Sequence, residues 1–182
     1  MSENNDKPVF LIEKLYVKDL SLEVPGAPGV FGQKGAPQIE ITMNNTAQAL
    51  KDGFYEVLVK ATVTAKIEDV TLFLVEASQA GVFQIRNLSD DPLEMTLGIA
   101  APNIIFPYLR ETISDAVSKA GFPPVLLQPM NFEAVYRARN EGQAAPESSE
   151  ATKHWFFSRV TASVSEGLVV WVVLGDEMKI AV

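Results

Sequence analysis

The chain has 182 residues, 47% of them hydrophobic, which fits one domain with a core of its own plus polar tails. It contains no cysteine and a single histidine, His154, so disulfides, thiolate catalysis, cysteine-ligated zinc and histidine-based metal clusters are excluded. A formal charge of −8 argues against nucleic acid, which selects basic surfaces, and is compatible with a cationic protein partner.

The start, MSENNDKPVF, is polar and acidic and lacks the basic-then-apolar order of a signal peptide, so a cytoplasmic protein is expected. A first strand is expected from about Val9 to Val24. Its even positions are mostly apolar (Phe10, Ile12, Tyr16, Leu20, Leu22, Val24), while its odd positions end in Asp19, Ser21 and Glu23. The glycine- and proline-rich stretch Pro25 to Pro37 follows. It lacks the Lys-Ser/Thr of a phosphate loop, and its prolines remove donors that would cradle phosphate. A loop of this length is uncommon unless functional or disordered, and Val30 and Phe31 at its middle could cover a groove or simply anchor a crossover.

Three more strands show period two. In QIEITM, Ile39, Ile41 and Met43 alternate with polar residues; in FYEVLVKATVTAKI, Tyr55, Val57, Val59, Ala61, Val63, Ala65 and Ile67 form one apolar face. In VTLFLVEASQAGVF, Leu72, Leu74, Glu76 and Ser78 share one face, and Phe73 and Val75 the other. Asp52-Gly53 and Glu68-Asp69 suit tight hairpins.

After Asp91-Pro92 the period becomes helical. Ile105, Leu109, Ile113, Ala116, Val117 and Ala120 form one stripe, with Pro107 expected in or next to the first turn and Gly121 as the residue that ends the helix. A second helix is expected from about Asn131, with Phe132, Val135, Tyr136 and Arg139 on one side. Strands followed by helices, without β-α-β alternation, predict an α+β domain: a four-stranded antiparallel sheet with two C-terminal helices packed on one face. The domain is expected over residues 1–140, and residues 141–182 as a flexible linker and an extension.

Chemistry is sparse. Asp90-Asp91 and Glu68-Asp69 read as solvated turn carboxylates, and no nucleophile elbow is present. The triplets Asn44-Asn45-Thr46 and Asn87-Leu88-Ser89 read as chance matches to a glycosylation acceptor. Strand phase places Asp19 with Glu23 and Leu74 with Glu76. If both strands present one face together, these residues form an acidic patch with an apolar member; otherwise they belong to a solvated sheet face. The stripe Ile105, Leu109, Ile113 and Val117 exceeds what one sheet face must cover, so it is expected to serve as an oligomer interface.

The pieces LYVKDLSLEVPGAPGVF, YEVLVKATVTAKIED, LFLVEASQAGVFQI and APNIIFPYLRETISDAVSKAGFPPVLLQPMNFEAVY, in this order and spacing, resemble the bacterial protein-export chaperone family SecB over roughly residues 9 to 140. The resemblance implies a non-enzymatic, ATP-independent chaperone without cofactors or metal. It would be assembled as a homotetramer, a dimer of dimers, that holds unfolded preproteins and delivers them to the SecA motor. It implies a client groove at Val30, Phe31, Leu126, Leu127, Met130 and Phe132, a SecA contact at Asp19, Glu23, Leu74 and Glu76, and an inter-dimer contact on the long helix. A small-molecule-binding α+β protein and a purely structural oligomer are the alternatives. Two departures stand out. The crossover loop lacks the tryptophan that some relatives carry, and the ending KHWFFSRVTASVSEGLVVWVVLGDEMKIAV does not align with the family's polar tails. That ending is read as a non-functional extension, with an added strand, a weak membrane contact or an altered reading of the gene's end as alternatives.

Overall fold

The computed structural model describes residues 7–142 and 158–163, with side chains described from 7 to 140. Five strands form one antiparallel sheet: β1 (Val9–Glu23), β2 (Gln38–Ala49), β3 (Phe54–Ile67), β4 (Val70–Arg86) and β5 (Ser158–Ser163), in the spatial order β1-β4-β3-β2-β5. The four expected strands are thus present, and β5 adds a short strand on the free side of β2. Behind them come α1 (Asp90–Met95), a π-helical stretch Thr96–Ala100, α2 (Ala101–Lys119) and α3 (Phe132–Gly142).

Hairpin chemistry sets the order of the central strands. Asp52 (φ 60°) and Gly53 (φ 76°) adopt left-handed conformations between β2 and β3, as a tight two-residue turn requires. Ile67 pairs directly with Val70, so Glu68 and Asp69 form the second turn. β1 pairs with the far side of β4, so residues 24–37 must cross two strands to reach β2. That crossover carries a turn closed by the Ala27 N–H on the Val24 carbonyl at 3.2 Å and then a 3-10 turn, Gly29–Gly32.

The predicted faces hold in the middle of the sheet: Ile39, Ile41, Val57, Val59, Ala61, Val63, Ala65 and Val75 are all buried towards the helices. They fail where the ladder slips. β1 shifts register between Ile12 and Lys14 and again between Val17 and Asp19. Each extra residue exchanges the two faces. Phe10, Ile12, Leu15, Val17, Leu20 and Leu22 therefore share the helix side, and Tyr16 lies on the opposite one. A third slip, between Ala65 and Lys66 on β3, turns Leu72 out of its expected face into the core, where it is 6% exposed.

The helical segment begins earlier than its apolar stripe suggested. α1, the π-helical stretch and α2 follow one another without a break from Asp90 to Lys119, so Pro107 lies inside α2 and not in its first turn. The expected end is present: Gly121 adopts φ +88°, its N–H bonds to the Ser118 carbonyl at 3.0 Å, and the Phe122 N–H bonds to the Val117 carbonyl at 3.3 Å. This pair of bonds is the Schellman arrangement. Asn131 caps α3, its Oδ1 accepting from the Ala134 N–H at 3.0 Å. Phe132 meets Phe106 edge-on at 5.7 Å and ties α3 to α2. Tyr136 packs where a side chain on Gly98 would collide with it.

Ile105, Leu109, Ile113 and Val117, the expected oligomer interface, each have 0% exposure within the single chain. They are consumed by packing on β3 and β4. The expectation that this stripe outruns its own sheet is therefore corrected, because a group with no exposed surface has none left for another copy. The outward side of α2 carries Tyr108, Arg110, Glu111 and Asp115 and is largely polar.

Candidate client-binding and docking surfaces

An apolar hollow of about 400 Å³ opens beneath the crossover, at the end of the sheet where α2 stops. Its wall is built by three separate local features. The tight turn of the crossover holds Val30 buried and leaves Phe31 55% exposed. The β3–β4 end supplies Phe73 and Leu72, and the Schellman turn after α2 throws Phe122 back across the opening. Phe122 lies 5.0 Å from Phe73 and 5.4 Å from Phe31, ring centre to ring centre. Gly121 permits this turn: its positive φ is costly for any residue with a Cβ.

Among the described residues, Gln33 is the only lining residue with a polar side chain, and none of the lining residues is titratable. Such a wall offers mainly dispersion and desolvation to apolar side chains, with few polar groups to orient a small molecule.

The expected groove residues do not form one surface. Val30 and Phe31 line the hollow just described. Met130 and Phe132 lie beside a second, much smaller hollow with Met43, Asn44, Asn45, Val59 and Val135. Leu127 is 1% exposed and belongs to the core, so it is corrected from groove to scaffold. Leu126 is 51% exposed but faces a different depression, on the outward side of α2 beside Pro107, Arg110 and Ser114. Adjacent residues in an extended segment point to opposite sides, which accounts for the contrast between Leu126 and Leu127. Phe73 and Phe122 also line the hollow and were not among the expected groove residues. The signal for Phe122 was available, because the residue after a helix-ending glycine commonly packs back on the helix end.

On the far side of the sheet the expected acidic patch has the expected register. Ser21 pairs with Glu76, Glu23 with Leu74 and Asp19 with Ser78. Asp19, Glu23, Leu74 and Glu76 therefore share the face turned away from the helices. Asp19 and Glu23 are exposed, and Leu74 and Glu76 half-buried. Glu76 is not a bare charge: Lys60 Nζ lies 2.6 Å from its Oε1, and the Thr62 hydroxyl donates to its Oε2 at 3.1 Å. The Lys60 bond, helped by Thr62 and opposed by partial burial, holds the Glu76 carboxyl below its ordinary range.

Further along the same face, Tyr16 donates to Glu56, and Lys18 Nζ lies 2.7 Å from that carboxylate. β4 runs between Tyr16 and Glu56, and the small Ala80, which pairs with Tyr16, lets the phenol reach across. The hydrogen bond to Glu56, then burial, pushes the Tyr16 phenol up to about 12. Burial raises the Glu56 carboxyl, but the bonds from Lys18 and Tyr16 outweigh it and leave it lowered.

Comparison with known proteins agrees with this architecture. Residues 3–143 match the family model described as preprotein translocase subunit SecB. The chain is 56% identical over 148 residues to the protein-export protein SecB of Methylobacillus flagellatus, covering 81% of this chain and 93% of that one. It is 55% identical over 142 residues to the protein-export protein SecB of Dechloromonas aromatica, covering 78% and 93% respectively. Among solved structures, a SecB-like chaperone of Mycobacterium tuberculosis in complex with an antitoxin peptide superimposes with a TM-score of 0.56. It is 16% identical, with 66% of this chain and 90% of that chain covered, a likeness of fold.

Proposed function

Because the chain belongs to the SecB family, we propose that it is an ATP-independent holding chaperone that keeps unfolded secretory preproteins extended and delivers them to the SecA motor. The observation that carries this reading is the aromatic hollow under the crossover. It is apolar, lined among the described residues by no ionisable group, and closed by a half-exposed phenylalanine that a passing chain could meet. Holding needs no chemical step, and none is part of this reading.

Clients enter as extended segments whose apolar side chains fill the hollow at Phe31, Phe73 and Phe122 and the smaller one at Met130 and Phe132. SecA docks on the opposite face, where Asp19, Glu23 and Glu76 attract a basic surface and Leu74 supplies apolar contact. The two faces of the sheet thus serve two partners at once. The protein works in the cytoplasm as a homotetramer. Assembly is supported by β1, an edge strand whose Phe10, Ile12, Val17 and Leu20 are 37–50% exposed and reach beyond the cover of α2.

The test is binding of one secretory precursor in its unfolded and folded forms. The unfolded form is expected to bind with a negative heat-capacity change from apolar burial, and the folded form not to bind. Equal affinity for both overturns the reading.

A further inference from the structure

The ion pair between Lys60 and Glu76 lies within the acidic patch, and the residues around it give it a second use. We propose that Lys60 is a latch on that patch: it neutralises Glu76 in the free chain and moves to Asn44 when a cationic side chain of a partner takes its place. The proposal rests on the docking reading of Asp19, Glu23, Leu74 and Glu76 and names how that surface is regulated.

Three observations carry it. First, the sheet register sets Lys60 between two acceptors. Val59 and Ala61 are fully buried towards the helices, so Lys60 points to the opposite face. On that face Asn44 stands directly across from it on β2. Glu76 pairs with Thr62, the next outward residue of β3, and so lies diagonally across on β4. Both positions are within the reach of a long side chain.

Second, the pair is formed but open to exchange. Lys60 Nζ lies 2.6 Å from Glu76 Oε1, while the two side chains keep 40% and 31% of their surface exposed. Pairs this accessible to water are weak in net terms. The Thr62 hydroxyl donates to the other carboxylate oxygen at 3.1 Å, which keeps Glu76 in position when Lys60 leaves.

Third, the displaced ammonium has somewhere to go. Asn44 Oδ1 is buried and, among the described residues, has no hydrogen-bond partner. Asn44, Lys60 and Glu76 line one hollow of about 160 Å³ together with Thr42 and Thr62, so the two acceptors belong to one continuous piece of surface.

The exchange has a physical direction. In the free chain the carboxylate of Glu76 attracts the ammonium more strongly than the neutral carbonyl of Asn44 does. An incoming cation would set two positive charges on one carboxylate, and their repulsion drives Lys60 away. The ammonium carries three donors on a flexible stem, and an unmet buried acceptor is unfavourable. The new bond to Asn44 therefore offsets part of the loss of the ion pair. A partner without a cation at this point meets a patch whose Glu76 is already neutralised. The latch thus favours a basic surface that places charge on Glu76 as well as on Asp19 and Glu23.

The probe is SecA, titrated against the full-length chain and its variants. Lys60→Met should bind about two- to fivefold more tightly than wild type, the range that an exposed ion pair spans. A general gain in negative charge would have the same sign, so the substitution is repeated beside Glu76→Gln, where the gain should vanish. Asn44→Leu keeps the ion pair and removes the second acceptor. It should bind about two- to tenfold more weakly and yet raise the urea midpoint, because an apolar group replaces an unmet polar one. In the Lys60→Met background Asn44→Leu should no longer change affinity, a dependence that a merely structural role of Asn44 does not produce. The latch is overturned by unchanged affinity of Lys60→Met or Asn44→Leu, by a gain that survives Glu76→Gln, or by an Asn44→Leu loss that persists without Lys60. In each of those cases docking on this face still stands, provided that Glu76→Gln and Asp19→Asn weaken SecA binding. If neither of these weakens it, the docking reading falls together with the latch.

Discussion

Single residues set the chemistry of both faces. Gly121 holds the turn that aims Phe122 at Phe31 and Phe73, so Gly121→Ala should cost about 1–2 kcal/mol through its left-handed φ. Denaturant midpoints measure that loss, and client affinity should fall with it because Phe122 is displaced. On the other face, Asp19 is exposed, and under the proposed docking role it would steer a basic partner over a range of about 8 Å at physiological ionic strength. Asp19→Asn should slow SecA association and flatten its salt dependence, whereas Leu74→Ala should weaken binding with the salt slope unchanged. Wild-type affinity and slope for both variants would reduce the patch to an ordinary solvated face.

The Lys60 bond gives Glu76 a pH signature. A carboxyl whose folded pKa is depressed stabilises the fold above its unfolded value near 4.3, and that contribution is lost as pH falls through the lower folded value. Glu76→Gln should therefore narrow the acid limb of the stability profile. Tyr16 runs the other way. Its raised pKa makes the stabilisation complete below about 10 and lost as pH rises through about 12. Absorbance titration should find one late-ionising tyrosine that Tyr16→Phe abolishes.

At the scale of elements, α2 and β1 both depart from ideal geometry. Pro107 lies in the interior of α2, where it withholds an N–H from the carbonyl four residues back. Pro107→Ala should stabilise the chain by on the order of 1–2 kcal/mol: the helix gains up to about 3, and the less restricted unfolded chain takes part of it back. A lower urea midpoint for this variant would show that the proline supports packing that the helix needs. β1 carries two slips, and these allow one strand to present Leu15 and Val17 to the helix side while Asp19 and Glu23 face away. Period-two reading places Tyr16 with the apolar set because it assumes an unbroken ladder. A bulge breaks that assumption without leaving a local mark in composition.

For the whole molecule, the question is what covers β1. Four large apolar side chains on its helix side, Phe10, Ile12, Val17 and Leu20, stay 37–50% exposed in the isolated chain, an arrangement expected of an interface more than of a free surface. Val17→Asp should shift the assembly towards monomers by light scattering while the fold persists, since a buried unpaired charge is costly at an interface and tolerated in water. Ile113→Asp should instead unfold the chain, because Ile113 is fully buried within it. If Val17→Asp assembles like the wild type, β1 is not the assembly surface.

The sequence alone determined the element order, the two hairpins, the end of the long helix, the buried faces of β2 and β3, and the strand-face pairs Asp19 with Glu23 and Leu74 with Glu76, which the β1–β4 register then joined. Each follows from contacts short in sequence or from a period that runs unbroken for several residues. Only the tertiary structure decided how far α2 sinks into its own sheet, and so left Ile105, Leu109, Ile113 and Val117 no surface to share while the edge strand keeps Phe10, Ile12, Val17 and Leu20 exposed. It also separated Leu126 from Leu127, brought Phe31, Phe73 and Phe122 together from three distant segments, and set Ser158–Ser163 against β2. An apolar stripe states that a residue is to be covered, and periodicity carries no information about which neighbour covers it. That choice is made by long-range packing, where segments far apart in sequence compete for the same surface.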